Sequence, residues 1–276
     1  MQRVFKHLPK TLVGDEEAMH EMRVAARRLR VTLPVLARKP RGKRVRRALA
    51  VLREVTRASG RGRELDVALE FLEARLRAVG RSSPESDLLR GQLANAIHRS
   101  RRRMANAMLD IEIAGLRRDL RSIVKGGSAD DFTVLGRLRE TRNALGRALV
   151  RGLEALGSDF DPKALHRLRR QARRLRYAAE VSDALAGQGS DSPAALKDLQ
   201  DRLGRIQDNQ VVGGWFSGAA VAARARGQAA VATEAGSLAE WFDEQSRGHH
   251  RDLLEGDPVH VVTRALEAMN RARTAA

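Results

Sequence analysis

The most informative absences in this chain are cysteine, aromatic residues and long apolar runs. It contains no cysteine, which excludes disulfides, thiolate metal sites and cysteine nucleophiles. Aromatic residues make up only 3% of the chain, and the apolar residues are mostly Ala, Leu and Val, a composition that favours helix packing over a sheet. No stretch approaches the ~18 apolar residues of a membrane span, and the first residues lack the apolar core of a signal peptide. We therefore expect a soluble, all-α, cytoplasmic protein that is not embedded in a membrane.

Acidic residues are also scarce relative to basic ones. The chain has 52 Lys and Arg against 34 Asp and Glu, which gives a formal net charge of +18. A balance of this kind predicts a polyanionic partner. Membrane surfaces, nucleic acids and polyphosphate all qualify, so composition does not choose among them.

The sequence offers no recognisable catalytic motif. It has no P-loop, dinucleotide-binding glycine pattern, His-Glu-x-x-His string, EF-hand loop or Gly-x-Ser-x-Gly elbow. Phosphoryl-transfer and hydrolytic chemistry needs clustered acidic metal ligands, and the sequence offers no such cluster. We predict that the chain is not an enzyme and needs neither metal nor cofactor.

Helical patterns and end signals extend over nearly the whole chain, and no segment alternates as a strand does. Asp15 and Asp161 are predicted N-caps, and Ser192 is predicted to cap a helix that starts at Pro193. Glycine-rich loops are expected at 59–62, 80–86 and 125–131. The predicted helices cover residues 15–38, 43–59, 63–79, 87–124, 132–156, 162–185 and 193 to the C-terminus.

Two motifs recur in the same order. The string HEMRVAARRLR from His20 matches HRLRRQARRLR from His166, with seven of eleven positions identical. Downstream, GRGRELDV from Gly60 aligns with GRIQDNQV from Gly204. The two separations, 146 and 144 residues, are nearly equal, which indicates duplication of a helical unit and two halves related by a pseudo-two-fold axis.

Both copies of the first motif place their basic residues on one side of a helix. At about 100° per residue, the histidine and three arginines of each copy fall within an arc of about 80°, opposite an apolar stripe. Arginine's planar fork binds phosphate oxygens with two hydrogen bonds, so such a row suits a chain of phosphates. The alternative is a solvated basic face. The predicted binding residues are His20, Arg23, Arg27, Arg30, His166, Arg169, Arg173 and Arg176.

Three further positions are open to more than one interpretation. Tyr177 lies beside His166 on the second helix, where its hydroxyl could donate to the same ligand or cover the core edge, and we include it in the site. Glu180 lies one turn beyond Arg176 and is expected to orient that arginine. Glu64 and Asp208 occupy equivalent places in the two copies, where we expect ion pairing rather than metal binding.

At these residues the chain resembles the conserved histidine α-helical domain (CHAD) family. Residues 20–30 are similar to the family's first signature and residues 166–177 to its second, and the resemblance covers about 15–254. It implies two pseudo-symmetric four-helix bundles, at 1–127 and 128–276, around a basic central channel that binds inorganic polyphosphate. The resemblance further implies association with polyphosphate granules. The family's frequent N-terminal metalloenzyme domain is not found in this sequence, and the segment before His20 is shorter than that before His166, as if a helix were missing.

Two functions thus follow from the sequence. The first is binding of inorganic polyphosphate through the histidine and arginine rows. The alternative is a non-specific nucleic-acid-binding protein, because a net charge of +18 alone gives weak affinity for nucleic acid. Single-strand binders usually interleave aromatic residues with basic ones, and Tyr177 is the only aromatic residue near either motif. The sequence indicates no oligomeric state.

Overall fold

The computed structural model describes residues 2–80, 83–187 and 189–271, without the side chains of residues 2, 3 and 61–64. Within these ranges the fold is all-α, as predicted, and contains no strand beyond one isolated bridge between Ala37 and Ser128. No described helix is both long and apolar enough to cross a membrane. The helices are α1 (Gln2–Leu12), α2 (Glu16–Leu36), α3 (Lys43–Ala58), α4 (Gly60–Val79), α5 (Pro84–Leu109), α6 (Ile113–Lys125), α7 (Asp131–Glu154), α8 (Pro162–Ala186), α9 (Ser192–Ala225), α10 (Ala229–Glu255) and α11 (Pro258–Arg271).

Side-chain caps fix the start of the two helices that carry the repeated motif. Asp15 accepts a hydrogen bond from the Ala18 amide at 2.7 Å, and Asp161 accepts from the amides of Lys163 and Ala164 at 2.8 and 3.1 Å. Each bond satisfies an amide that has no partner inside the helix. The predicted cap at Ser192 is wrong: this residue lies inside α9, after Asp191, and its hydroxyl donates to the Ala265 carbonyl instead.

The helix pattern differs from the sequence prediction in four places. The segment predicted as helical from residue 193 to the C-terminus is divided into α9, α10 and α11. A helix, α1, precedes α2 and packs against it, although the short polar start did not predict one. The expected loop at 59–62 is reduced to Ser59 alone, whose hydroxyl donates to the Val55 carbonyl at 2.7 Å. The single helix expected over 87–124 is broken between α5 and α6, where Glu112 caps α6 by accepting from the Gly115 amide.

The apolar residues form three cores. One joins α1, α2, α3 and α6 with the end of α5, and the second joins α7, α8, α11 and the first part of α9. The third combines α4 and the start of α5 with α10 and the second part of α9, so it draws on both halves of the chain. The sequence predicts two four-helix bundles, at 1–127 and 128–276, and this division of the chain stays a prediction. Direct packing of α2 on α8 brings the repeated motifs together.

Candidate anion-binding site

Five arginines from the repeated motifs converge where α2 meets α8. We call Arg23, Arg27, Arg169, Arg173 and Arg176 the arginine cluster. Burial, followed by repulsion from Arg27 and Arg169, lowers the pKa of Arg173 to about 9. Burial, followed by repulsion from Arg23, lowers the pKa of Arg27 to about 10. The half-buried guanidinium groups of α2 and α8 are thus close enough across the helix contact for Arg27 to oppose the charge of Arg173, and for Arg169 to oppose the charge of Arg27.

A second group of basic residues continues from the arginine cluster along α2. The pKa of Arg30 is lowered by burial and then by repulsion from Arg53, Arg174 and Arg170. Arg30 and Arg174 also line a cavity of about 460 Å³, with Arg41 and Arg137 and one acidic residue, Glu140, on its wall. Positive charge therefore extends from the α2–α8 contact to the loop that follows α2.

Tyr177 lies beneath the arginine cluster and not at its surface. Its side chain is buried, at 3% exposure. The guanidinium carbons of Arg176 and Arg28 lie 4.9 and 5.7 Å from its ring centre, where the negative face of the ring attracts cations. Glu180 pairs with the same two arginines, at 2.9 Å from Arg28 and 3.7 Å from Arg176. The expected role of Glu180 in orienting Arg176 agrees with this contact, and the contact to α2 was not foreseen.

Residues in or just before the second repeated motif hold Arg23, Arg30 and Arg169 from the side. Arg23 donates to the Ser59 carbonyl at 2.7 Å, and Arg30 donates to the Thr56 hydroxyl at 3.3 Å. Arg169 pairs with Asp208 at 3.5 Å, which agrees with the ion pair expected there. The side chain of Glu64, its counterpart, lies outside the described residues.

Glycine at position 204 leaves space for Arg169. A Cβ at this position would lie 3.3 Å from the guanidinium of Arg169, closer than most Cβ contacts. The glycine that opens the second repeated motif is thus explained by packing against the arginine cluster, since α9 is helical through this residue.

The two histidines occupy the start of each basic row. Both His20 and His166 are exposed. His166 shares a hydrogen bond of 2.6 Å between its Nδ1 and Oε1 of Gln207, a contact that the sequence did not indicate. The basic central channel that the family resemblance implies stays a prediction.

Other arginines, on α3, α5 and α7, pair with polar groups of the fold. Arg142 is buried and donates to the Ser182 hydroxyl at 2.9 Å, and Arg47 makes two hydrogen bonds to Asp119. Arg101 pairs with Asp66 and Glu16. The helical wheel missed Arg53, on α3, because only the packing of α2 against α3 brings it near Arg30.

The arrangement suits an extended anion with several negative oxygens. The Nε atoms of Arg169 and Arg176 are buried without a hydrogen-bond partner, and buried donors of this kind are costly unless an acceptor binds them. Among the residues that the structure describes, no three His, Asp or Glu side chains are grouped to hold a metal ion. The chemistry of the site is therefore that of binding phosphate-like oxygens through guanidinium groups.

We predict that Arg173→Met raises the melting temperature at pH 7. Arginine is a base, and a folded-state pKa well below its ordinary value means that its charge destabilises the fold throughout the range below about pH 9. If removal of the charge recovers about 1 kcal/mol, the melting temperature rises by roughly 2–4 °C. The gain should shrink as the pH rises from about 9 toward the ordinary value, because the wild-type side chain then loses its proton.

Calorimetry with two controls checks this prediction. Arg173→Lys keeps the charge and should not raise the melting temperature, and Arg224→Met removes an exposed charge at the end of α9. A lower melting temperature for Arg173→Met than for Arg224→Met would show that the Arg173 guanidinium supports the fold.

Comparisons with known proteins identify the family to which this fold belongs. The model of the CHAD domain family matches residues 1–217. A crystal structure of the CHAD domain from the plant Ricinus communis is similar to this chain, with a TM-score of 0.61 and 24% sequence identity over 96% of this chain and 88% of that one. No curated protein is significantly similar in sequence. At this identity the crystal structure supports the fold alone, and the family match over most of the chain shows that this protein belongs to the CHAD domain family.

Proposed function

We propose that this protein binds inorganic polyphosphate at the arginine cluster and its extension along α2. The observation that carries the proposal is the convergence of half-buried guanidinium groups whose charges repel each other across the α2–α8 contact. A polyanion placed among them would turn this repulsion into attraction and provide acceptors for the unsatisfied donors. Membership of the CHAD family supports the proposal, because the resemblance noted in the sequence implies this ligand.

The linear spread of charge favours a chain of phosphates over a compact anion. Arg23 and Arg30 are separated by seven residues of α2, or about 10 Å at 1.5 Å per residue. The cavity lined by Arg30, Arg41, Arg137 and Arg174 continues the same path. A linear polymer with a charge on every unit can contact all these guanidinium groups at once, whereas one phosphate ion reaches only a few.

Binding of nucleic acid remains the alternative function, and the site favours it less. Non-specific single-strand binding uses exposed aromatic faces on which bases stack. The aromatic residue of this site, Tyr177, is buried beneath Arg28 and Arg176. We expect weak, salt-dependent binding of nucleic acid as a consequence of net charge, and localisation in the cytoplasm at polyphosphate granules as a consequence of polyphosphate binding.

We predict that replacing Arg23, Arg27, Arg173 and Arg176 by Lys weakens polyphosphate binding about tenfold or more. The net charge stays at +18, but four planar forks are replaced by point charges that cannot make two parallel hydrogen bonds. Each charge-assisted pair contributes about 1 kcal/mol or more. Titration with long-chain polyphosphate at one fixed ionic strength measures the difference, because counterion release makes any such binding salt-dependent.

A matched control separates these arginines from bulk charge. Arg118, Arg224, Arg226 and Arg264 are exposed, and their replacement by Lys also keeps the net charge. This variant should bind polyphosphate nearly as tightly as the wild type. Equal losses in the two quadruple variants, or no loss in either, would mean that diffuse charge binds the polymer.

We further propose that the protein binds polyphosphate without hydrolysing it. The reason is chemical: phosphoryl transfer needs acidic side chains that hold a metal ion beside the reacting phosphate, and the carboxylates seen at the arginine cluster, Glu180 and Asp208, pair with arginines. Purified protein incubated with polyphosphate, ATP or tripolyphosphate and Mg²⁺ or Mn²⁺ should release no phosphate. Release that follows the protein through every purification step would overturn this proposal.

A further inference from the structure

A second basic cavity lies on the other side of the loop between α2 and α3. Its volume is about 510 Å³, and its walls come from this loop, the start of α3 and the end of α6. Ala37, Val45 and Ile123 form an apolar part of its lining. Four cationic side chains, Arg38, Lys39, Lys43 and Arg44, complete the lining together with Arg47, the glycines at 42, 126 and 127, and Ser122.

The charges around this cavity are uncompensated. Arg47 pairs with Asp119. In the described part of the chain, no carboxylate pairs with any of the other four cations, and no acidic residue lines the cavity. Lys43 and Arg44 also stand in the first turn of α3, which has no acidic residue and no side-chain cap. Cations are unfavourable at the N-terminus of a helix, which is the positive end of its dipole. A bound anion would offset these positive charges.

Hydrogen bonds outside the cavity hold its walls in place. The Ala37 carbonyl accepts from Arg137 of α7 at 2.8 Å, and the Leu36 carbonyl accepts from the Ala129 amide at 3.1 Å. The Gly42 amide donates to the Lys39 carbonyl at 3.0 Å, which closes the turn before α3. A side chain at position 42 would lie 3.1 Å from the same carbonyl, so the turn favours glycine. The cavity is therefore formed before any ligand binds.

The cavity is separate from the proposed polyphosphate site. The adjacent cavity that contains Arg30 and Arg174 is lined by Pro40 and Arg41 of the same loop, whereas Arg38 and Lys39 line this one. The two cavities share no lining residue among those described. A ligand here would thus contact a different set of side chains.

We propose that this cavity binds a small phosphorylated organic molecule. Convergent Lys and Arg side chains recognise phosphate oxygens. An uncharged part of the ligand can pack against the apolar lining, chiefly against the half-buried Ile123, because Ala37 and Val45 are only 3% exposed. The volume lies within the range of about 300–1,000 Å³ that is typical of small-molecule sites, and a single phosphate ion would fill little of it. The site goes beyond the proposed function and does not depend on it.

ATP is the probe, since it combines phosphates with an uncharged aromatic base whose flat face can pack on an apolar lining. In spectra of protein with labelled methyl groups, ATP should shift the resonances of Val45 and Ile123, which line the cavity. Calorimetric titration should give an affinity that falls about tenfold or more in the double variant Lys43→Gln/Arg44→Gln. Both positions are exposed helix sites that accept glutamine, so the variant should fold.

The control variant is Arg224→Gln/Arg226→Gln, which removes the same charge from an exposed helix end. This control variant should bind ATP as tightly as the wild type does. Adenosine should bind to neither the wild type nor the control variant, because it carries no phosphate. Tripolyphosphate should bind more weakly than ATP, because it leaves the apolar lining unused. The proposal is overturned if ATP does not bind, if both double variants weaken binding equally, or if only the quadruple lysine variant of the arginine cluster loses it.

Discussion

Repulsion between guanidinium groups at the contact of α2 and α8 is the constraint around which the site is built. Arg27 and Arg173 are held near each other although burial and repulsion from neighbouring arginines lower the pKa of both. The contact persists because each helix is fixed on its other face: Met22 and Ala26 of α2 and Ala172 and Leu175 of α8 are fully buried in different cores. The cores thus supply the stability that the arginine cluster lacks, which is common at binding sites.

The contacts around the arginine cluster reduce the repulsion without removing it. Glu180 is shared between Arg28 of α2 and Arg176 of α8, so one carboxylate joins the two helices. The ring of Tyr177 lies beneath the same two arginines, and Asp208 holds Arg169. These groups orient the guanidinium planes. Arg27 and Arg173, where the lowering of the pKa is largest, have no carboxylate partner in the described structure. The cations of this site are held in place and are only partly neutralised by nearby carboxylates. The site is therefore arranged to bind an anion before the anion arrives.

The fold class and the basic rows followed from sequence because both depend on local pattern. A helix with an apolar stripe must turn its other side away from the core, so the periodicity from His20 and from His166 selected the arginines now found together. The contacts between helices could not be predicted in this way. Glu180 to Arg28, Gln207 to His166 and Arg53 near Arg30 each join residues distant in sequence. The helix before α2 was missed because its stability comes from packing on α2 and from no strong end signal.

The most direct test of the central claim is a competition between long-chain polyphosphate and DNA for the purified protein at near-physiological salt. A site built from converging guanidinium groups, with its aromatic ring buried, should favour the flexible chain of phosphates. Polyphosphate should displace labelled DNA at concentrations of phosphate units well below those at which unlabelled DNA does so. Displacement at equal concentrations of phosphate units would contradict the account, since binding would then depend on net charge and not on the arrangement of Arg23, Arg27, Arg169, Arg173 and Arg176.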